Sequence, residues 1–490
     1  MTIFIGGIGL SSVAVRGGSP TLSGIPVPLN TVDINGFIAQ FPTGSEFRFV
    51  AGTYRFLESL VARSGDIYHG TVSGGVRQTT ITGAKILTGW VFESGRWWVG
   101  GQTQQGTVGS SSACAGAISF DPEYPMCIHP EALFMDDVFK IHVSTIGEVI
   151  PGTWHFDYPN DRIYVGDDPN GHLVETSWVP KVFAPTSSAS NVTISDMIIE
   201  KFAAPTAEAA VNLGYSPLGA ANWTCESCEV RYCSGGGIGN DAFTSARNNY
   251  VHHNIGFGFI GAGEGVVIEG NEIAYNNIQR VYNRFFGAGG SKWVFTTGLI
   301  VRNNNSHHNW GPGLWTDTSN IDTLYENNVV EFNQSSGIFH EISYDAIIRN
   351  NTCRFNGQGQ DFPFWVSPAG IEVVSSRNVE VYDNVLEGNY NEITGNDDGR
   401  TGAGDPNAIH GLWQLTGFNV HHNNITNTTI GLGGARSGVI GAFPFTWDFN
   451  NHVYGPAVAE PFFITNDSYN ETTWVNVAGK DVNGSFTRVP

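Results

Sequence analysis

Basic residues are scarce in this 490-residue chain: 24 Lys and Arg stand against 45 Asp and Glu, a net charge of −21. Such a surface repels phosphate backbones and anionic lipid, so no nucleic-acid partner and no membrane partner is expected; a polysaccharide or cell-surface glycan suits it better. No run of about 18 apolar residues exists to cross a bilayer. The N-terminus, MTIFIGGIGLSSVAVRGG, lacks the basic segment that precedes the apolar core of a secretion signal, so either a leader has been trimmed or export takes another route. Cysteines number only six. Cys225, Cys228 and Cys233 offer a CxxC with a third thiol, but zinc would need a fourth ligand that has no candidate, and buried thiols are the expectation.

Glycine is abundant, with 62 residues, and aromatics make up 12% against 14% charged residues. That is too apolar and aromatic for disorder and dense in turn-formers, which favours an all-β chain. The segments ARNNYVHHN, VVIEGNEIAYN, IVRNNNSHHN, TLYENNVVEFN, IIRNNTCRFN and VEVYDNVLEGN repeat one pattern, marked by Asn249, Asn271, Asn304, Asn328, Asn351 and Asn384. Their gaps are 22, 33, 24, 23 and 33 residues; Asp196 and Cys228 take the marker place in earlier copies and Asn424 in a later one. Short strands at a period near 22 to 24, with Asn at the turns, describe coils of a parallel β-helix whose stacked amides bond along the axis. The longer gaps mark loops, QRVYNRFFGAGGSKW and GQGQDFPFWVSP, and a third insertion, TGNDDGRTGAGDP, precedes Asn424. Insertions of this kind overhang binding faces.

The pattern divides the chain. First coils occupy 31–88; residues 89–181, including the hairpin-like PGTWHFDYPNDRIYVGDDPNGHLVETSW, form an inserted β subdomain; the main helix runs 182–434; and 435–490 loses the repeat and caps the end.

In two consecutive coils, GLWTDTSNIDTLYENN and GIFHEISYDAIIRNN, Asp317 falls beneath Glu341, each four residues after a glycine. Strand side chains alternate, so with Leu314 and Ile338 inward, Trp315, Asp317, Phe339 and Glu341 should face solvent. Adjacent coils lie about 4.8 Å apart, which matches the roughly 5 to 5.5 Å between the carboxylates of retaining glycosidases. Stacked like charges are destabilising and should drive the two pKa values apart. Asp317 is therefore the candidate nucleophile and Glu341 the candidate acid/base, against the alternative of two ordinary solvated acids on an acidic surface. Two positions earlier, Trp315, Phe339, Glu372 and Trp413 read as one outward column suited to sugar stacking, or to packing under the loops.

GLWTD, GIFHEISY and DYPNDRIYVGDDPNGHLVE resemble a bacterial group of right-handed parallel β-helix repeat proteins of pectin-lyase-like fold, across roughly residues 52–434. The Asp-then-Glu pair is also similar to β-helix glycoside hydrolases of the β-xylosidase kind, which implies a nucleophile at Asp317 and an acid/base at Glu341. Residues 1–30 resemble short β-repeats of actinobacterial phage tail proteins. That likeness implies an attachment segment, action outside the cell on a virion or after secretion, and assembly as a homotrimer or within a tail.

Other residues have weaker claims. Trp310, Tyr344 and Trp365 sit near the presumed cleft as binding or packing groups, and Lys292, in the loop before the Asp317 coil, is a candidate substrate contact or a solvated lysine. His340 should point inward. The pairs His252/His253 and His307/His308 are separated by a whole coil, too far for a shared metal. No cofactor is expected; Asp397, Asp398 and Asp405 are the only suggestion of calcium. A polysaccharide lyase would need a Lys or Arg base, and the outward column offers acids, which favours hydrolysis. A glycan-binding spike without chemistry is the non-enzymatic alternative.

Overall fold

The computed structural model describes residues 23–106, 126–184, 188–214, 222–357, 367–427, 433–437, 445–454, 462–464 and 467–488. They form a right-handed parallel β-helix of three long sheets, with 13, 13 and 11 strands among the described residues. From residue 193 to residue 464 each coil gives one strand to each sheet, so one apolar residue per strand stacks in register down the interior. In the first sheet the column runs Ile268, Val301, Tyr325, Ile348, Val381; in the third it runs Leu314, Ile338, Ile371, Ile393. All are fully buried, each contributing roughly 1.5–3 kcal/mol.

The paired asparagines have two separate jobs. Asn248, Asn303, Asn327 and Asn350 adopt left-handed backbone at the corner between sheets, a conformation that Asn tolerates better than most residues. The second member of each pair enters the ladder: Asn304 donates from Nδ2 to Asn328 Oδ1 at 3.0 Å and to the Ile268 carbonyl at 3.0 Å. The ladder continues through Asn423 and Asn450 and ends on Asp481. Asn424, expected at that rung, instead starts the next strand; Met197, not Asp196, aligns with Cys228. A second ladder five residues later joins Asn254, Asn276, Asn309, Asn333, Asn356 and Asn389 and ends on Glu392. It fixes the glycines before the site strands, because a Cβ on Gly313 would lie 2.7 Å from Asn333 Nδ2 and one on Gly337 2.8 Å from Asn356 Nδ2.

Coils continue beyond the expected cap boundary, since Phe445–Asp448, Asn451–Tyr454 and Ser485–Arg488 extend the sheets. The closing elements are the antiparallel strand Asp467–Tyr469 and the helix Glu471–Asn476, whose Trp474 is fully buried over the last coil. At the other end Ile25–Val27 already pairs with Glu46–Phe49, although most of the assigned attachment segment lies outside the described residues. The inserted subdomain is a separate eight-stranded sheet running from Ala84–Ile86 to Val174–Ser177 in sequence, with its own core around Leu133, Trp154 and Phe156. Buried Lys201, on the helix, ties it down through Asp137 and Glu175.

Candidate active site

The third sheet carries the stacked acids. Thr316 pairs with His340 and Trp315 with Phe339, so Asp317 and Glu341 occupy equivalent places on adjacent coils, about 4.8 Å apart along the axis. Leu314 and Ile338 point into the interior as expected. His340 does so too, its Nδ1 2.7 Å from the Thr316 hydroxyl and its Nε2 3.0 Å from the Tyr344 carbonyl; burial pushes it down to about 4.

The outward positions are not solvated. Glu341 is 2% exposed, and Trp315 and Phe339, stacked at 5.4 Å, are buried with Phe257 and Val374. Glu341 is covered by the third insertion. Arg400 Nη2 lies 2.5 Å from Glu341 Oε1, and its Nε reaches Asp398. Residues 407–413 are pinned through Ser319 to the Asn407 carbonyl, Arg377 to the His410 carbonyl, and the Tyr344 hydroxyl to the Gly411 carbonyl at 2.8 Å. On the opposite edge of Glu341 the Trp315 indole donates to Oε2 at 3.1 Å.

Glu341 is pushed up to about 7, first by burial, then by the charge of Asp317, with Arg400 and Lys292 opposing. The expected separation of the two acids is therefore present on the glutamate, but desolvation outweighs charge stacking as its cause. Asp317 is less enclosed: Lys292 Nζ lies 2.8 Å from its Oδ2, and the Thr318 hydroxyl donates to Oδ1 at 3.0 Å. Lys292 is neither solvated nor in a loop. It stands in strand Gly289–Thr297, 8% exposed, its ammonium 3.8 Å from the Trp315 ring centroid and 3.0 Å from the Phe286 carbonyl.

The aromatic column is corrected in its last member, because Trp315, Phe339 and Glu372 are followed in register by Thr394. Trp413 comes from the covering loop and packs on Ile342 and Tyr344. Glu372 is fully buried; it holds the Ser336 hydroxyl and the Ser367 N–H at 2.6 Å, and burial raises it to about 8. Buried Tyr344 anchors the loop, and Trp310 stacks under Arg280 at 3.8 Å. Trp365 lies outside the described residues. Asp397, Asp398 and Asp405 are engaged by Leu415 N–H, Arg400 and Asn407 N–H respectively. Among the described residues no group of three or more His, Cys, Asp or Glu is arranged to hold a metal ion. His253 and His308 stack with Tyr275 and Phe332 along the outer turn.

Sequence reasoning missed Arg400. Its signal was there, since it is the only cation in the third insertion, TGNDDGRTGAGDP, which was already expected to overhang a binding face.

A cleft of about 860 Å³ opens at Asp317 and Lys292 and runs toward the N-terminal coils past Ile260, Gly239 and Asn212. Glu341 does not line it; its carboxyl is paired with Arg400.

The family described as a right-handed beta helix region matches residues 218–386. Among solved structures, the complex of XylC with xylose is similar at 12% identity over 89% of this chain and 83% of that one, with a TM-score of 0.56. The A-module of the Azotobacter vinelandii mannuronan C-5 epimerase AlgE4 is similar at 14% identity over 94% of both chains, with a TM-score of 0.51. At such identities the likeness is one of fold. No curated protein matches the sequence. No helix among the described residues is long and apolar enough to cross a membrane.

Proposed function

We propose that the protein is a retaining glycoside hydrolase acting on a microbial-surface or plant-type polysaccharide outside the cell, either secreted or carried on a phage tail. The observation that carries this reading is the register that sets Asp317 against Glu341 in contrasting environments, one paired with an ammonium and one held protonated up to about pH 7. Once substrate displaces Arg400, Glu341 gives its proton to the glycosidic oxygen as the C–O bond breaks, and an Asp317 oxygen bonds to the anomeric carbon. Water then attacks that carbon, its proton passes to Glu341, and the Asp317 carboxylate departs. The likeness to XylC, whose structure holds xylose, makes aryl xylosides the natural first members of a substrate panel.

The test is that panel, extended to microbial polysaccharides, with wild-type protein and Glu341→Gln. Turnover lost in the variant while glycan binding persists supports the reading; binding without turnover in the wild type leaves a glycan-binding spike. A polysaccharide lyase is the second reading, favoured by Lys292 and Arg400, two cations the acidic column alone did not suggest. Products absorbing in the ultraviolet would decide for it.

A further inference from the structure

The outward rows of the third sheet change character at Asp317. On the C-terminal side they carry Trp315, Phe339 and Glu341, all buried, with Glu341 held by Arg400 of the 398–413 loop. On the N-terminal side the same two rows continue as Lys292, Ile260, Gly239, Asn212 and as Val294, Ala262, Asp241. Gly239 and Ala262 keep the sheet face low in its middle, and a Cβ on Gly239 would displace the Asn212 amide, lying 2.4 Å from its Oδ1. The cleft is this bare stretch. It crosses the strands ending at Asn212, Asn240, Glu264 and Thr297 before reaching Asp317, about 19 Å along the axis at the coil spacing. Its floor alternates apolar surface, Ile260 and Val294, with polar groups, Asn212, Asp241 and Lys292, and an ion pair of Lys181 with Glu208 lines its far end.

Resting on the hydrolase reading, we propose that this trench binds the body of a glycan chain and that the enzyme cuts near one chain end. Several sugars lie along the axis on the N-terminal side of Asp317. The scissile bond sits at Asp317, and the covered side beyond it accepts only a short terminal unit. Chain-end action follows from the asymmetry, because four coils are open on one side of the nucleophile while the next coil is closed by Arg400 on Glu341 and by Trp413 packed on Tyr344.

The experiment uses end-labelled β-1,4-xylo-oligosaccharides of two to six units, with mannuronate oligomers as an acidic counterpart. Expected are release of mono- or disaccharide from one end only and a kcat/KM that climbs at least tenfold with chain length. In Glu341→Gln, whose binding is read by calorimetry, adding Ala262→Trp should weaken the hexamer at least tenfold. Asn212→Leu, a smaller change at the far end, should weaken it severalfold if the tryptophan variant fails to fold. Length-dependent binding that these changes abolish, without wild-type hydrolysis, retains the trench and removes the hydrolase. Mid-chain cleavage, or rates independent of length, overturns this inference and leaves the hydrolase standing. Failure of both series to bind overturns the trench assignment.

Discussion

Two columns of polar side chains climb this helix one coil at a time, and they behave in opposite ways. In the asparagine ladder each amide both donates and accepts, so that every rung satisfies the next, and eight consecutive rungs from Asn249 to Asn450 are fully buried without charge. In the Asp317–Glu341 column the rungs are carboxyls, which when ionised only accept and cannot satisfy one another, and the stack lasts for two coils before Val374 ends it. Its charges are answered from outside, by Lys292 on the previous coil and Arg400 on a distant loop. The same repeat geometry thus yields rigidity where the stacked group is self-complementary, and a reactive pair where it is not.

Breaking the acidic column should cost activity far more than stability. Asp317→Ala is expected to lower kcat by about 10⁴-fold or more, the scale of losing one member of a catalytic set, with a denaturation midpoint near wild type. Retained turnover would separate the column from the chemistry. Breaking the amide ladder should do the reverse: Asn328→Ala strands the Val301 carbonyl and the Asn304 N–H and takes one hydrogen bond each from the side-chain amides of Asn304 and Asn351. A loss of roughly 3–5 kcal/mol in urea unfolding is expected.

Arg400→Ala sharpens the comparison by removing one outside answer. Arg400 lowers Glu341, so without it the glutamate should hold its proton to higher pH. The alkaline limb of the rate profile, set near 7 in the wild type by loss of that proton, should move upward. A limb that stays or falls would place the acid elsewhere. The smallest effect is expected at Glu372, whose folded value near 8 stands above the usual 4.5. Its contribution to stability is complete below about 4.5 and is lost as pH rises through about 8. Glu372→Gln should flatten that decline and raise stability at pH 8 by on the order of 1 kcal/mol.

The repeat was legible because a ladder residue must be Asn to donate and accept at once, and the Asn before it must adopt left-handed backbone; those demands print the Asn-Asn pairs into the sequence. From the pairs the coil register and the stacking of Asp317 on Glu341 followed. The same rule could have found the last coils, since FTWDFNNHVY carries the pair Asn450-Asn451. Ambiguity arose where four polar residues run together: in HHNN the ladder takes Asn423, one place before Asn424. What periodicity could not carry was cover. Trp315, Phe339 and Glu341 are outward by alternation yet buried; Glu341 is met by the arginine of a loop some 60 residues later in sequence, and no local pattern states where an insertion lands. Lys292 was misplaced for the same reason, as GGSKWVFTT reads as part of an insertion but joins the sheet as a nine-residue strand.

Double displacement by two acids one coil apart leaves a stereochemical signature. Proton NMR of the first sugar released from a defined anomer of an aryl glycoside reads it, and the expected product keeps the anomeric configuration of the substrate before mutarotation. Inverted product would contradict it, because inversion needs carboxyls roughly 6.5–9.5 Å apart with a water between them, a separation that adjacent coils do not provide.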